Sequence, residues 1–151
     1  MERGTDVHLR GAPLGGDRTV HPHRFLTLAE RERVAAAVKE VAGKTSGEIR
    51  VHLDRHCPQD PQAAATRVFH QHGLHGKAER HGVLIYLATA DRKFAVVGDD
   101  GIHGKVGPRF WEEVRDRMAK AFQENRFGDG IAEAVREIGE KLPAAYPKSA
   151  G

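Results

Sequence analysis

The spacing of apolar positions changes several times along the chain, and each change marks an element. Leu28, Val34, Val38 and Val41 recur at helical spacing, which predicts a helix with one buried stripe. Thr27 and Glu30 stand at the interval of a capping box, where each side chain satisfies an orphan backbone N–H of the first turn, and Gly43 suits the far end. The pattern then alternates over "EIRVHLD", with Ile49, Val51 and Leu53 on one side and Arg50 and His52 on the other, the mark of a strand covered on one face. Asp60-Pro61 opens a second helix, an acidic cap followed by proline in the first turn. This helix runs through the alanines to Val68 and Phe69 and ends near Gly73. "GVLIYLATA" (Gly82–Ala90) is apolar on both faces and predicts a central strand. The short connection Ala90-Asp91-Arg92 leads into "KFAVVG" and predicts a hairpin. Gly107-Pro108 starts a third helix, with Phe110, Trp111, Val114, Met118, Ala121 and Phe122 as core candidates. Ile131, Ala134, Val135, Ile138 and Leu142 stripe a fourth. The expected order is α-β-α-β-β-α-α, an α/β fold with a small mixed sheet.

That order has a consequence for chemistry. A helix between the first two strands makes them parallel, joined by a right-handed crossover, and the hairpin reverses the third. The C-terminal end of the third strand therefore lies beside the N-terminal ends of the other two. "TSGE" (Thr45–Glu48), "LHGKAERH" (Leu74–His81) and "GDDG" (Gly98–Gly101) converge there. This brings Glu48, Asp99 and Asp100 to one end of the sheet, with Glu79 nearby. Clustered carboxylates repel unless something positive sits between them, and Ca²⁺ or Mg²⁺, which take hard oxygen ligands, are the natural candidates. The residues alone leave a second reading open: Asp-Asp-Gly is also a good turn, and Glu48 has Lys77 and Lys105 as possible partners. An EF-hand is excluded, because taking Gly101 as the loop glycine puts Val96 at the first ligand position and Gly107 where a glutamate is needed.

Length and charge narrow the classes. A chain of 151 residues suggests one domain. The net charge of +3 invites a nucleic-acid reading, but the excess is spread evenly over the chain, without the basic concentration that phosphate backbones require. Residues 1–24 show no periodicity and read as a mobile extension. Pro143 and Pro147 read as stops that leave "PAAYPKSAG" as a tail. The N-terminus lacks the apolar core of a signal peptide, and no apolar run is long enough to span a bilayer. Cys57 is the only cysteine, so no intramolecular disulfide can form. A soluble cytoplasmic protein is the expectation.

Other candidate chemistry is weaker. Asp54, His56, Cys57, Asp60, Asp91 and Arg92 gather at the opposite end of the sheet. "HCPQDPQA" has Ala63 where a cysteine phosphatase needs arginine, so this group reads as ordinary surface residues. His70 and His72 are two apart on a helix and face different sides, so with His75 they read as a solvated helix end. "GIHGKVG" lacks the terminal Lys-Ser/Thr of a phosphate-binding loop. No Ser-His-Asp set is discernible.

"TSGEIRVHL", "GLHGKAERHGVLIYLATADRKFAVVGDDGI", "FWEEVRDRMAKAF" and "FGDGIAEAVREIGEKL" together resemble the TPM-domain family. The resemblance covers roughly residues 25–147 and leaves 148–151 as a tail. It implies a three-layer α/β/α sandwich around a small mixed sheet. Relatives have been described as binding Ca²⁺ or other divalent ions, and plant thylakoid members have been linked to acid phosphatase activity and photosystem II repair. By this resemblance Asp99 matches the acid of the family's "GD.GI" and Glu48 that of "SGEI", while Asp100 falls at a position the motif leaves open. His81 stands where the family has Asn. Many members carry an export signal and a C-terminal membrane segment, features not seen here, so luminal and membrane roles are not implied. The resulting expectation is a divalent-cation module with Asp99, Glu48, Asp100 and Glu79 as ligand candidates and an unknown protein partner. Two alternatives stand beside it: a metal-assisted phosphomonoester phosphatase, and an interaction domain that needs no metal.

Overall fold

The structure, a computed structural model, describes residues 19–72, 75–77 and 80–148. Eight elements follow in chain order: α1 (Leu28–Ala42), β1 (Glu48–Asp54), α2 (Pro61–Gln71), β2 (His75–Lys77), β3 (Arg80–Ala88), β4 (Lys93–Gly98), α3 (Asp100–Gln123) and α4 (Phe127–Ala145). The central strand is β3. It pairs in parallel with β1, from Glu48 opposite Gly82 to Asp54 opposite Ala88. It pairs antiparallel with β4, from Val83 opposite Gly98 to Ala88 opposite Lys93. Because both partners pair with the same stretch of β3, they occupy its two opposite edges. The three-residue β2, which the periodicity did not reveal, pairs with the start of β3.

The alternation of β3 sorts the helices into layers. Val83, Ile85 and Leu87 are buried in a core shared with α1, α3 and α4. Leu84, Tyr86 and Ala88 are buried on the other face with Ala64, Ala65, Val68 and Phe69 of α2. The result is the α/β/α sandwich with a mixed sheet, its central strand buried on both faces as the apolar run required.

Helix starts follow local chemistry. The capping box at Thr27 forms as expected, with the Glu30 carboxylate accepting from the Thr27 N–H at 2.8 Å. Its second oxygen does more, accepting from the Gly128 N–H at 3.1 Å, so one buried acid caps α1 and fastens the start of α4. Close approach of these two helices depends on glycine. A Cβ at Gly139 would lie 2.3 Å from a methyl of Val41, and valine in a helix has essentially one rotamer. Gly139→Ala is therefore expected to destabilise the fold by about 1–3 kcal/mol through overpacking, read as a lower urea midpoint at unchanged slope. A shift equivalent to under roughly 0.5 kcal/mol would mean that α1 and α4 separate freely.

Two boundaries differ from the sequence reading. The start expected at Gly107-Pro108 is preceded by a further helical segment: α3 opens at Asp100, because Asp99 caps it and Ile102 anchors the added turns in the core. Gly107 then takes φ +76° and kinks the helix, a conformation that favours glycine; Pro108 restarts it, where its missing N–H costs little. The second difference is at the C-terminus. Pro143 sits inside α4 rather than ending it, and the residue taken for a tail position, Tyr146, is buried. Its carbonyl accepts from the Ser46 N–H at 3.1 Å and from the Thr45 hydroxyl, and Pro147 bridges to Thr45. The clue in the sequence was an aromatic residue between two prolines in an otherwise small-residue stretch.

Candidate functional site

The start of β1 and the end of β4 meet the start of β3 at the backbone level, as expected; Leu74, Ala78 and Glu79 of the third segment lie outside the described residues. Glu48 stands opposite Gly82 on one edge of β3, and the Asp99 N–H donates to the Gly82 carbonyl at 3.1 Å on the other edge. The helix start lies closer to this point than expected, since α3 begins one residue after Asp99.

The carboxylates themselves part company. Glu48 and Asp99 are separated by two strand spacings, about 10 Å at the backbone. Glu48 turns to Arg50, with its carboxylate 2.7 Å from the guanidinium Nε; the side chain of Lys77 lies outside what the structure describes. Asp100 occupies the first turn of α3 and is exposed. Glu79 lies outside the described residues. Among the described residues, no three His, Cys, Asp or Glu side chains gather as a ready-made metal centre.

Asp99 is different. It is 6% exposed and its two oxygens have unequal surroundings. Oδ1 accepts from the N–H groups of Gly101 at 3.0 Å and Ile102 at 3.3 Å, the N-cap role, and it also accepts from the Tyr146 hydroxyl. Oδ2 is buried and has no hydrogen-bond partner among the described residues. Trp111 Nε1, in the helix that Asp99 caps, is likewise buried and unpartnered. The Trp111 ring packs over the backbone of Gly98, where a Cβ would come within 2.9 Å of it. Buried polar atoms without partners are uncommon and costly, and two of them border one strand end. Tyr146, which fixes the orientation of the acid from 47 residues away, is the site residue that sequence reasoning missed.

The opposite end of the sheet is structural. The Asp91 carboxylate accepts from the Cys57 N–H at 2.6 Å and lies 3.3 Å from His56; these hydrogen bonds, the backbone one foremost, hold its pKa below the ordinary carboxylate range. Cys57 is not the surface residue expected but is buried in the α2-side core, and burial pushes its thiol pKa up. A thiol kept protonated in this way is a poor nucleophile. Tyr86 donates to Asp54 at 3.0 Å, and its pKa is raised by burial and then by that carboxylate. Asp60 caps α2. Of the three histidines, His70 is exposed on α2, His72 ends the helix with its ring 5.7 Å from His52, and His75 lies in β2.

A small α/β/α domain with a buried, half-satisfied aspartate at one sheet end is the class that this geometry defines. The profile of the TPM domain matches residues 20–141, and the chain belongs to the TPM-domain family. It is similar to the BA42 protein of the psychrophilic bacterium Bizionia argentinensis, at 32% identity and a TM-score of 0.73, over 83% of this chain and 87% of that one. The fold also matches, at 16% identity, the N-terminal domain of a P. gingivalis protein, with a TM-score of 0.60 over 83% of each chain. A third match, also at 16% identity, is the N-terminal domain of the Corynebacterium glutamicum cg2496 protein, with a TM-score of 0.61 over 97% of this chain and 94% of that one. No curated protein matches the chain. Among the described residues no helix is long and apolar enough to cross a membrane.

Proposed function

We propose that this TPM domain is a divalent-cation-binding module in which Asp99 is the principal ligand and Ca²⁺ or Mg²⁺ the ion. The observation that carries the reading is the Asp99 Oδ2 atom, buried without a hydrogen-bond donor while its twin oxygen has three. An anionic oxygen left without compensation in a dry site costs stability, and a hard cation compensates it. Hard cations take carboxylate oxygens together with backbone carbonyls and water, and Asp99 Oδ2 is the carboxylate oxygen that lacks another partner. Glu48 and Asp100 are too dispersed to bind inner-sphere together with Asp99 as they stand, so their support is through water or the local field.

The test is a titration of the full chain with CaCl₂ and, separately, MgCl₂, followed through amide chemical shifts. Saturable shifts are expected at Gly98–His103 and at Tyr146, whose hydroxyl shares the carboxylate. If those amides stay still at millimolar ion while the spectrum otherwise reports a folded protein, the proposal is wrong.

A further inference from the structure

The free edge of β1 runs along a groove that has the shape and charge of a peptide site. β1 pairs with β3 alone, and among the described residues no strand lies on its other side. An unpaired edge presents a row of backbone donors and acceptors to any extended chain. Two adjoining openings follow this edge. One, about 540 Å³, is lined by Val34, Ala35, Val38 and Lys39 of α1 together with Glu48–His52 and, across the strand, His72. The other, about 460 Å³, is lined by Arg31, Val34 and Ala35 together with Val51–Leu53 and His23. They share Val34, Ala35, Val51 and His52, so they form one continuous groove. Its walls also show how α1 lies: the Lys39 end accompanies the start of β1 and the Arg31 end accompanies its finish, so the helix runs antiparallel along the edge.

Charge and spacing then define the occupant. Arg31, Ala35, Val38 and Lys39 fall on one helix face. Arg31 and Lys39 are both exposed, whereas the lining acid, Glu48, is already paired with Arg50. Eight helical residues separate the two cations, about 12 Å along the axis. Four residues of an extended strand cover about 13 Å and return to the same side. A strand laid on β1 therefore places its first and fifth side chains at the two cations and its third over Ala35 and Val38. The intervening side chains face His52 and His72. Those rings lie 5.7 Å apart and His72 is held below its usual pKa, by burial first and then by Arg50 and His52, so this wall is polar.

We propose that the β1 edge binds an extended acidic peptide by strand addition. In such a peptide two acidic residues flank an apolar one at alternate positions on the α1 side. Main-chain hydrogen bonds to the edge supply the affinity, and the Arg31–Lys39 interval sets the register, as in other modes of strand addition. This docking surface is separate from the Asp99 site and does not depend on ion binding.

The test uses the full chain and three synthetic heptapeptides capped at both ends: TETVTET, its charge-reversed form TKTVTKT, and TETVETT, in which one glutamate is moved to the other face. TETVTET is expected to shift the amides of residues 31–39 and 48–54, with TKTVTKT, which reverses two charge contacts, binding on the order of tenfold more weakly and TETVETT, which loses one, about three- to fivefold more weakly. The double variant Arg31→Glu/Lys39→Glu alters only exposed positions and is expected to reverse the preference in favour of TKTVTKT. Equal binding of all three peptides, or none at millimolar concentration, overturns the proposal. Slow exchange without peptide of the outward-pointing β1 amides, those not bonded to β3, overturns it too. If that protection rises with protein concentration the occupant is a second copy, and if it does not the occupant is the chain's own residues 1–18.

Discussion

Phe127→Ala is expected to destabilise the domain by about 3–5 kcal/mol, the range for deleting a fully buried phenylalanine ring. Phe127 opens α4 and is 1% exposed. Its ring centre lies 4.7 Å from that of Phe25 and 4.7 Å from that of Phe122, and Phe122 continues the row to Phe94 at 5.0 Å. The row joins the chain entering α1, the start of α4, the end of α3 and β4. The guanidinium of Arg92, in the β3–β4 turn, lies 5.1 Å from the Phe25 ring centre and 5.4 Å from that of Phe127. A cation held over desolvated rings contributes about 2 kcal/mol, so loss of Phe127 also loosens the turn. Urea unfolding of Phe127→Ala beside Phe127→Leu separates the two contributions. The leucine variant retains most of the buried volume and is expected to recover more than half of the loss, while the turn amides Thr89–Lys93 still exchange faster. A loss below about 1.5 kcal/mol for the alanine variant would mean that the row is not a junction of the core.

Much of this arrangement is legible in the residues, and the exceptions have physical reasons. Strand β3 is readable because burial on both faces leaves no polar position from Val83 to Ala88. The capping box is readable because it is local, needing only Thr27 and Glu30 three residues apart. What sequence spacing does not carry is partnership over distance. Glu30 also fastens Gly128, and Tyr146 reaches Asp99, contacts set by how α4 lies across α1 and the sheet end. Proline is a reliable sign at one position and misleads at another. At Pro108 a helical segment does start, after Gly107 turns the backbone out of helical geometry; at Pro143 the missing N–H suggests a stop, yet α4 continues through the position and Tyr146 is anchored beyond it. The acid cluster shows the converse limit. Topology does bring Glu48, Asp99 and Asp100 to one end, but strand spacing and side-chain partners then decide that only Asp99 is buried, and neither quantity is written in the order of elements.

Asp99 carries two roles that substitutions separate. Asp99→Ala removes the cap of α3, a loss of about 0.5–2 kcal/mol, and takes away the acceptor of the Tyr146 hydroxyl, a further penalty of about 1–3 kcal/mol. The expected total is about 1.5–5 kcal/mol in EDTA. Asp99→Asn keeps an oxygen in the Oδ1 position, where Gly101, Ile102 and Tyr146 donate, and changes the atom at Oδ2, which no group bonds. It is expected to cost less than about 1 kcal/mol in EDTA, since the cap persists and a buried charge is removed. The difference appears when ion is added. An ion that binds only the folded state stabilises it by about 2.7 kcal/mol at one hundred times its dissociation constant, and that increment is expected in the natural chain and absent from Asp99→Asn. Tyr146→Phe supplies the third comparison. It removes the donor that shares Oδ1, so it is destabilising in EDTA yet retains both carboxylate oxygens and the response to ion. If calcium and magnesium raise the melting temperature of Asp99→Asn as much as that of the natural chain, Asp99 is a cap and nothing more. If Asp99→Ala and Asp99→Asn are equally unstable in EDTA, the cap oxygen is not what the helix start depends on, and the buried charge itself holds Tyr146 and the C-terminal strand bridge in place.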